Sequence, residues 1–387
     1  MKRSADVVIV GGGCMGASVA YHLSRRGITD VVLLERERVL ATGSTGRNAG
    51  GVRHQFSNEA NIRLSIESIA LLERFKDEVG HEIDFHQDGY LFLLSTPDSV
   101  DTFKRNVALQ RSLGIDVMWL TPDEAVRLAP GLDARGVIGA TFCGRDGIAD
   151  PNGVTMGFAK AAQAAGVSIE RETEVTGIAV ERGRVSHVQT AKGRIAAPVV
   201  VNAAGPHARA IGRMAGVDVP VDPYRRHIFI AAFDALTPGR DVPASRIMVI
   251  DFETTFYFHR EGGGLLFGMG DPAEPSTFDT TVRWDFLEET TAVAVKRVPA
   301  LADASISHAW AGLYEMTPDA NPIIGAVRDV PGLFLINGFS GHGFQHSPAA
   351  GRLVADVIAG RDPGMDLTPF ALERFVSGAV SGEQYVV

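Results

Sequence analysis

The chain has 387 residues, a length that suggests roughly two to three domains. Its apolar fraction of 45% is ordinary for a globular protein, so sizeable cores can be buried. The formal net charge of -9 argues against sequence-independent binding to nucleic acid, which needs basic residues to neutralise phosphates. The two cysteines, Cys14 and Cys143, cannot form a disulfide framework and lack metal-ligand spacing, so we expect a reducing compartment and no metal site.

The N-terminal apolar run, Val7–Val10, is too short for the hydrophobic region of a signal peptide. No stretch of the sequence approaches the roughly 20 apolar residues that cross a bilayer. We therefore expect a cytoplasmic protein without a membrane span.

The N-terminal segment has the pattern strand, glycine turn, helix, strand, acid. The β-branched run Val7–Val10 is typical of a strand buried on both faces. It is followed by Gly11-Gly12-Gly13-Cys14-Met15-Gly16 and then by residues that can be helical. A second apolar run, Val31–Leu34, ends in Glu35.

Each part of this pattern suits a bound dinucleotide. Gly11 permits the tight turn, Gly13 lets the backbone approach a pyrophosphate, and Gly16 lets the helix pack on the sheet. The helix N-terminus offers N–H groups and the positive end of its dipole to phosphates. Glu35 lies about twenty residues past the last glycine, where an acid accepts hydrogen bonds from a ribose diol. Cys14 is interpreted as a small buried hydrophobe rather than a redox thiol.

Three further blocks are rich in glycine and other small residues. They are the loop Thr42–Arg53, the strand pattern Val199–Gly205 with Glu174-Val175-Thr176 before it, and the strand-glycine-helix pattern from Gly332 to Ile358. With the N-terminal pattern, these blocks resemble the D-amino-acid-oxidase-like flavoprotein superfamily, and within it the sarcosine oxidase and dimethylglycine dehydrogenase branch. The likeness extends over nearly the whole chain.

The resemblance implies an α/β fold, α+β overall, with a discontinuous Rossmann-like FAD-binding domain. That domain would comprise residues 1–85, 145–220 and 320–387, and a substrate-binding domain built on an antiparallel sheet would comprise 86–144 and 221–319. The resemblance also implies FAD contacts at Gly11, Gly13, Cys14, Met15, Gly16, Glu35, Arg36, Ser44, Thr45, Arg47, Asn48, Ala49, Gly50, Val175, Ala203, Ala204, Gly205, Gly312, Gly341, His342, Gly343, Phe344 and Gln345.

Apolar runs in the second domain predict its strands, at Tyr90–Leu94, 227–230, 256–258 and 265–267. Short loops, such as Thr237-Pro238-Gly239, separate such elements. A capping box at Thr121-Pro122-Asp123-Glu124 predicts a helix start. Ile62, Ile66, Ile69 and Phe75 recur at helical spacing, which predicts a long amphipathic helix after Asn58.

Arg53 is the first candidate for the substrate pocket. In similar sarcosine oxidases an arginine at the matching place pairs with the substrate carboxylate, and its planar fork suits that bidentate role. Gln345 stands where those enzymes have a lysine, which weakens the case for sarcosine itself. Gly312 stands near the position of a flavin-linking cysteine in monomeric sarcosine oxidases, so we expect non-covalent FAD.

Tyr257 and His259 lie two residues apart on a predicted strand and therefore share a face. That face is either the flavin cavity or a packed sheet interior, and the sequence leaves this open. His342 lies between glycines in the last block, and we interpret it as a cofactor contact rather than a proton-transfer group.

The resemblance implies oxidation of the C–N bond of a small secondary or tertiary amino acid, N-methyl or cyclic, by hydride transfer to flavin N5 and hydrolysis of the imine. One alternative is oxidation of a 2-hydroxy acid, which needs a base such as His259 or His54. Another is a β-type flavin subunit that is active only with partner subunits. The acceptor is either O2 or another carrier, and the absence of lysine between Lys192 and Lys296 favours a dehydrogenase.

Overall fold

The computed structural model describes residues 2–233, 241–378 and 382–386, and the loop expected at Thr237-Pro238-Gly239 lies outside them. The strands are β1 (Val7–Val10), β2 (Val31–Leu34), β3 (Gly51–Val52), β4 (Phe85–His86), β5 (Tyr90–Leu94), β6 (Val117–Leu120), β7 (Gly139–Cys143), β8 (Gly147–Ala149), β9 (Ser168–Glu170), β10 (Val175–Glu181), β11 (Arg184–Thr190), β12 (Gly193–Ala196), β13 (Val199–Asn202), β14 (Asp222–Ala232), β15 (Met248–Asp251), β16 (Phe256–Glu261), β17 (Gly264–Met269), β18 (Ser305–Met316), β19 (Ile323–Ala326) and β20 (Leu333–Asn337). The helices are α1 (Cys14–Arg25), α2 (Glu59–Glu73), α3 (Phe75–Val79), α4 (Pro97–Ser112), α5 (Pro122–Leu128), α6 (Pro151–Ala164), α7 (Ala208–Met214), α8 (Trp284–Arg297), α9 (Gly343–Ile358) and α10 (Arg374–Ser377).

A six-stranded sheet has the order β19-β20-β13-β1-β2-β9. Its strands are parallel except for β19, which pairs antiparallel with β20 at one edge. The central parallel strands β1 and β2 are short and apolar, and all of their residues are buried. The carboxyl ends of β1, β2, β13 and β20 therefore meet at one edge of this sheet.

Alternate residues of β1 and β2 belong to two different cores. Val7 and Ile9 pack in a cluster with α1, α6 and α9, whereas Val8 and Val10 pack in a second cluster with the antiparallel sheet β10-β11-β12. This alternation is what a pleated strand with two covered faces requires. The sheet is thus the middle of three layers, with helices on one side and a small sheet on the other.

The second large sheet has eight strands in the order β18-β14-β17-β16-β15-β5-β7-β6. All neighbours are antiparallel except β15 and β5, which are parallel. The four predicted strands are confirmed as β5 and as parts of β14, β16 and β17.

The two faces of the eight-stranded sheet bury different partners. One face packs with residues of α5 and α8, through Ala125 and Ala294. The other face presents a cluster that includes Tyr90, Ile228 and Tyr257, and this cluster continues into the candidate site.

Local signals explain two of the helix starts. Asn58 caps α2, because its side chain accepts the Asn61 N–H at 2.9 Å. The predicted capping box at Thr121 is present at the start of α5. The long helix predicted after Asn58 ends at Glu73, and Phe75 begins the separate helix α3.

The six-stranded sheet draws its strands from residues 7–34, 168–202 and 323–337, and the eight-stranded sheet from 90–143 and 222–316. The division into a cofactor domain and a substrate domain at the predicted boundaries stays a prediction. Among the described residues, none of the helices combines the length and the apolar character that a membrane span requires.

Candidate active site

The glycine turn after β1 holds three backbone segments in close contact. Gly11 has φ +113°, and a Cβ there would lie 2.3 Å from the Ala203 carbonyl oxygen. A Cβ at Gly16 would lie 1.9 Å from the Gly11 carbonyl oxygen, so α1 packs directly on the turn. Gly13, the residue before α1, has no side chain to cap the helix N-terminus. The Cys14 N–H donates to Thr45 Oγ1 at 3.1 Å, and the other N–H groups in the first turn of α1 form the positive end of the helix, which suits an anion.

Glu35, at the end of β2, lies beside this turn. Its Oε2 accepts the Gly12 N–H at 2.8 Å, and its Oε1 accepts the Glu37 N–H at 2.8 Å. The Glu35 backbone carbonyl accepts the Thr173 N–H at 2.8 Å, which brings the stretch before Val175 to the same place. The acid, the turn and the stretch before β10 thus adjoin one another.

A cleft of about 1050 Å³, a volume that includes open solvent at its mouth, lies between the glycine-rich loops and the eight-stranded sheet. Its walls include the predicted residues Cys14, Ser44, Thr45, Arg47, Asn48, Ala49, Arg53, Tyr257, Gly312, Gly341, His342, Gly343, Phe344 and Gln345. The other predicted residues, which do not line the cleft, are Gly11, Gly13, Met15, Gly16, Glu35, Arg36, Gly50, Val175, Ala203, Ala204, Gly205 and His259. Most of these lie at the strand ends of the parallel sheet.

Arg53 follows β3 and is a buried cation in the wall of the cleft. Its guanidinium donates hydrogen bonds to the backbone carbonyls of Gln55 and Tyr385, the latter at 2.5 Å. It also lies over the ring of Phe56, 4.0 Å from the centroid. Among the described residues, no carboxylate forms an ion pair with Arg53. Burial lowers the pKa of Arg53, yet a guanidinium stays charged in proteins, so its charge lacks a direct counter-ion.

Gln345 supports Arg53 through the backbone. The side-chain oxygen of Gln345 accepts the Arg53 N–H at 2.6 Å, and both residues are buried. A lysine in this position has no acceptor and cannot make that bond. Glutamine at position 345 thus carries no charge, and it makes a bond that fixes the strand end carrying Arg53.

Three of the tyrosines in the wall come from the eight-stranded sheet, Tyr90 from β5, Tyr257 from β16 and Tyr314 from β18. Burial raises the pKa of each phenol, so all three stay protonated near neutral pH. They can donate hydrogen bonds but do not supply a base.

His259 lies beyond the cleft although it shares a strand with Tyr257. It is buried, and its Nδ1 pairs with the Arg260 carbonyl oxygen at 2.9 Å. It does not line the cleft. His259 thus makes no direct contact with the cleft that would support the catalytic role predicted for it.

His54 also lies behind the wall. Its Nδ1 pairs with Asp146 Oδ1 at 2.7 Å, and the other carboxylate oxygen accepts Gln55 Nε2 at 3.1 Å. The ligand atoms of His54, Cys143 and Asp146 lie within 4.8 Å of one another, and burial raises the pKa of the Cys143 thiol. The hydrogen bonds that His54 and Gln55 make to Asp146 support the segment that carries Arg53.

His342 faces the cleft as a neutral imidazole. Burial, the largest cause, and the nearby His346 and Arg53 hold the pKa of His342 well below its usual value. Its Nε2 is buried and has no hydrogen-bond partner in the described part of the chain. A buried nitrogen of this kind fits a ligand that supplies the missing partner.

Comparison with known proteins decides the family. A family model described as "DAO: FAD dependent oxidoreductase" matches residues 6–357. The chain belongs to this family. It is therefore an FAD-dependent oxidoreductase, and the cofactor inferred from the sequence is confirmed.

Individual members of the DAO family are similar over most of the chain. Mitochondrial dimethylglycine dehydrogenase of Rattus norvegicus is 30% identical, over 97% of this chain but only 45% of its own length. Sarcosine oxidase subunit beta of Arthrobacter sp is 31% identical, over 99% of this chain and 94% of its own. The crystal structure of L-proline dehydrogenase from P. horikoshii is 34% identical, with a TM-score of 0.90, over 98% of this chain and 100% of its own. These likenesses confirm the branch that the sequence resembles.

The described residues fit FAD. The turn at Gly11 and Gly16 leaves no space for a Cβ, the end of β2 carries Glu35, and the His342 Nε2 lacks a partner. A nucleotide with a flat ring system suits a site with a backbone cradle at one end and an aromatic cleft at the other.

Glu315 of β18 lines the cleft, and burial raises its pKa from 4.5 to about 7. An acid with a raised pKa stabilises the fold below its unfolded pKa, and that contribution is lost as pH rises through the folded pKa. FAD-free protein should therefore lose stability between about pH 4.5 and 7, on the order of 3 kcal/mol. We expect the melting temperature of FAD-free Glu315→Gln to depend less on pH over this range than that of the wild type.

The matched control for that prediction is Glu288→Gln, on the exposed side of α8. It should leave the pH dependence of the FAD-free melting temperature as in the wild type. Equal slopes for Glu315→Gln and wild type would show that the carboxyl does not titrate in this range.

Sequence reasoning missed several cleft residues, Tyr90, Arg226, Tyr314, Glu315 and Tyr385. Arg226 carried a detectable signal, because the pair Arg225-Arg226 lies in an apolar strand and must place one arginine on each face. Arg225 pairs with Glu274 at 2.9 Å, whereas the Arg226 guanidinium lies over the Tyr314 ring at 5.1 Å. The sequence around Tyr385 contains no comparable pattern that would have predicted its place in the cleft.

Proposed function

We propose that this FAD-dependent oxidoreductase oxidises the C–N bond of a small secondary or tertiary amino acid, whose carboxylate binds Arg53. The observation that carries the proposal is the buried guanidinium in the cleft wall, which among the described residues contacts neutral backbone carbonyl groups and the rings of Phe56 and Phe92 but no carboxylate. A carboxylate can offer it two parallel hydrogen bonds and the missing negative charge. A neutral substrate would leave that charge uncompensated.

The names of similar proteins support this substrate class. Dimethylglycine dehydrogenase and L-proline dehydrogenase are named for amino acids with a tertiary or a cyclic secondary nitrogen. Both names also specify dehydrogenases, and the absence of lysine between Lys192 and Lys296 favours a dehydrogenase as well. The acceptor, O2 or another carrier, remains part of the proposal.

FAD is held, in this proposal, by the residues predicted for it in the sequence. The turn Gly11–Gly16 holds the pyrophosphate, Glu35 the ribose, and the segment Gly341–Gln345 at the start of α9 the ring system. Binding is non-covalent, because the cleft wall has Gly312 and no thiol at that point. A Cβ there would lie 3.0 Å from the Arg47 Cβ, so the position is also crowded.

The sheet side of the cleft orients the substrate. Tyr257 and Tyr314 offer protonated phenols, and Ile228, Met248 and Ile250 form the apolar wall. The nitrogen lone pair forms the C=N bond as hydride leaves the adjacent carbon, so the amine must be unprotonated, and nearby arginine charges favour that form. FAD, when bound, accepts the hydride. Water then hydrolyses the imine to an amine and a carbonyl compound.

Arg53 and Arg226 are two of the three arginines that line the cleft, and Arg47 is the third. Arg226 is half-buried on β14, and among the described residues it forms no ion pair with a carboxylate. It can bind a second acidic group on the substrate. The substrate panel should therefore include N-carboxymethyl amino acids beside N-methyl and cyclic ones.

The test is anaerobic reduction of the purified chain by that panel, followed in the visible flavin band. Acid denaturation of a first sample should release the flavin into solution, as a non-covalent cofactor requires. Bleaching by an amino acid, but not by 2-hydroxy acids, supports the proposal, and readmitted air shows whether O2 is the acceptor. Bleaching by hydroxy acids alone would contradict it, and a flavin that the isolated chain cannot reduce with any of them would favour a missing partner subunit.

A further inference from the structure

The segment Gly382–Val386 forms part of the cleft wall although it is distant in sequence from the other lining residues. Tyr385 and Val386 line the cleft. The Tyr385 carbonyl accepts a hydrogen bond from Arg53 Nη2 at 2.5 Å. This segment therefore contacts the cation proposed to bind the substrate carboxylate.

A buried carboxylate anchors the segment at the start of α2. Glu383 accepts hydrogen bonds from the Ser57 N–H at 3.0 Å and the Ser57 hydroxyl at 2.7 Å. It also accepts from the side-chain amides of Asn58 at 2.7 Å and Asn61 at 3.1 Å. Bonds of this kind to a charged acceptor are among the stronger ones in proteins. The anchor adjoins the Arg53 segment, because Ser57 lies only four residues further along the chain.

The ring of Tyr385 provides a second anchor. It is fully buried and stacks on Phe103 of α4, with 4.2 Å between the centroids and 13° between the planes. Its hydroxyl bonds Asn106 Nδ2 at 2.9 Å. Between these two anchors, the Tyr385 carbonyl is fixed where it accepts from Arg53.

The contact restricts the orientation of the guanidinium. One N–H group of Arg53 is held by the Gln55 carbonyl, a second by the Tyr385 carbonyl, and one face by the Phe56 ring. A planar fork that is fixed in this way loses little freedom when it binds a carboxylate. Without the Tyr385 carbonyl, the side chain regains rotamers that do not present its fork to the cleft.

We propose that Gly382–Val386 is a positioning segment of the amino-acid site, which orients Arg53 for the substrate carboxylate through the Tyr385 carbonyl. This inference rests on the proposed function. It assigns Glu383 and Tyr385 no contact with the reacting atoms and no part in holding FAD.

The test is a double-mutant cycle between Glu383→Ala and Arg53→Met. The readout is the dissociation constant of acetate, a carboxylate without an amine, from the change it causes in the flavin spectrum. In the protein that keeps Arg53, Glu383→Ala should weaken acetate binding about tenfold. It should raise KM for the amino acid more than it lowers kcat. In an Arg53→Met background, Glu383→Ala should have no further effect, because the segment acts through Arg53.

Controls separate this role from general destabilisation. Glu59→Ala removes an exposed carboxylate at the start of α2 that pairs with Arg63, so it should bind acetate within twofold of wild type. Ser57→Ala removes one bond to Glu383 and should give an intermediate loss if Glu383→Ala does not fold. Equal effects of Glu383→Ala in both backgrounds, or none in either, would overturn the inference. Wild-type protein that binds FAD but no carboxylate would remove the proposed function itself.

Discussion

Arg53→Met should lower kcat/KM for the amino-acid substrate by a factor of about 100 to 1000, because it removes one partner of a buried charge pair. Methionine has a similar length and no charge, so it fills the space over the Phe56 ring without offering an anion any hydrogen bond. FAD content should stay normal, since the substitution keeps the backbone N–H of residue 53 that bonds Gln345. The measurement is the rate of anaerobic flavin reduction as a function of substrate concentration.

The stability of the same variant provides an internal check. In the described part of the chain, Arg53 is a buried charge without a carboxylate partner, and burial disfavours its charged form. Arg53→Met should therefore melt at the wild-type temperature or above it in the absence of substrate. Arg53→Lys keeps a charge but loses the planar fork, so its kcat/KM should lie between those of the wild type and Arg53→Met. Unchanged kinetics in Arg53→Met would place the substrate carboxylate elsewhere.

The cofactor half of this site could be predicted because its residues follow strands in contiguous motifs. Gly11–Gly16 follow β1, Glu35 follows β2, and Ala203–Gly205 follow β13, which are neighbours in one sheet. The carboxyl ends of parallel strands meet at one edge of the sheet, so a short motif that follows such a strand can be placed at that edge from the sequence alone. The capping box at Thr121 was predictable for the same local reason.

The substrate half could not be predicted in this way. Its residues come from strands that are far apart in the chain, such as β14 and β18, and from the segment that carries Tyr385. Alternation shows that Tyr257 and His259 share a face, but not how far along the strand the cleft extends. The register of the eight-stranded sheet fixes that extent, and it places Tyr257 in the wall and His259 beyond it.

Gln345 shows how a departure from a family pattern can be misjudged from the sequence. Without coordinates, the missing lysine signifies only a lost charge. In the structure the amide oxygen holds the Arg53 N–H, and Arg226 supplies a second cation from a strand that no motif connects to this place. The change in charge could therefore be predicted from the sequence. The hydrogen bond to Arg53 could not, because it depends on a tertiary contact.

Gly16→Ala should yield protein without FAD, destabilised by about 3 kcal/mol or more. The added Cβ would lie 1.9 Å from the Gly11 carbonyl oxygen, and that atom belongs to backbone that is itself packed against Ala203. Neither side can yield without moving α1 away from β1, which disperses the N–H groups proposed to hold the pyrophosphate. Gly43→Ala, in the loop before Ser44, is the matched control, because nothing lies within 4 Å of its Cβ. The ratio of flavin to protein and the melting temperature check both variants, and a yellow Gly16→Ala protein with wild-type stability would show that the helix does not depend on this contact.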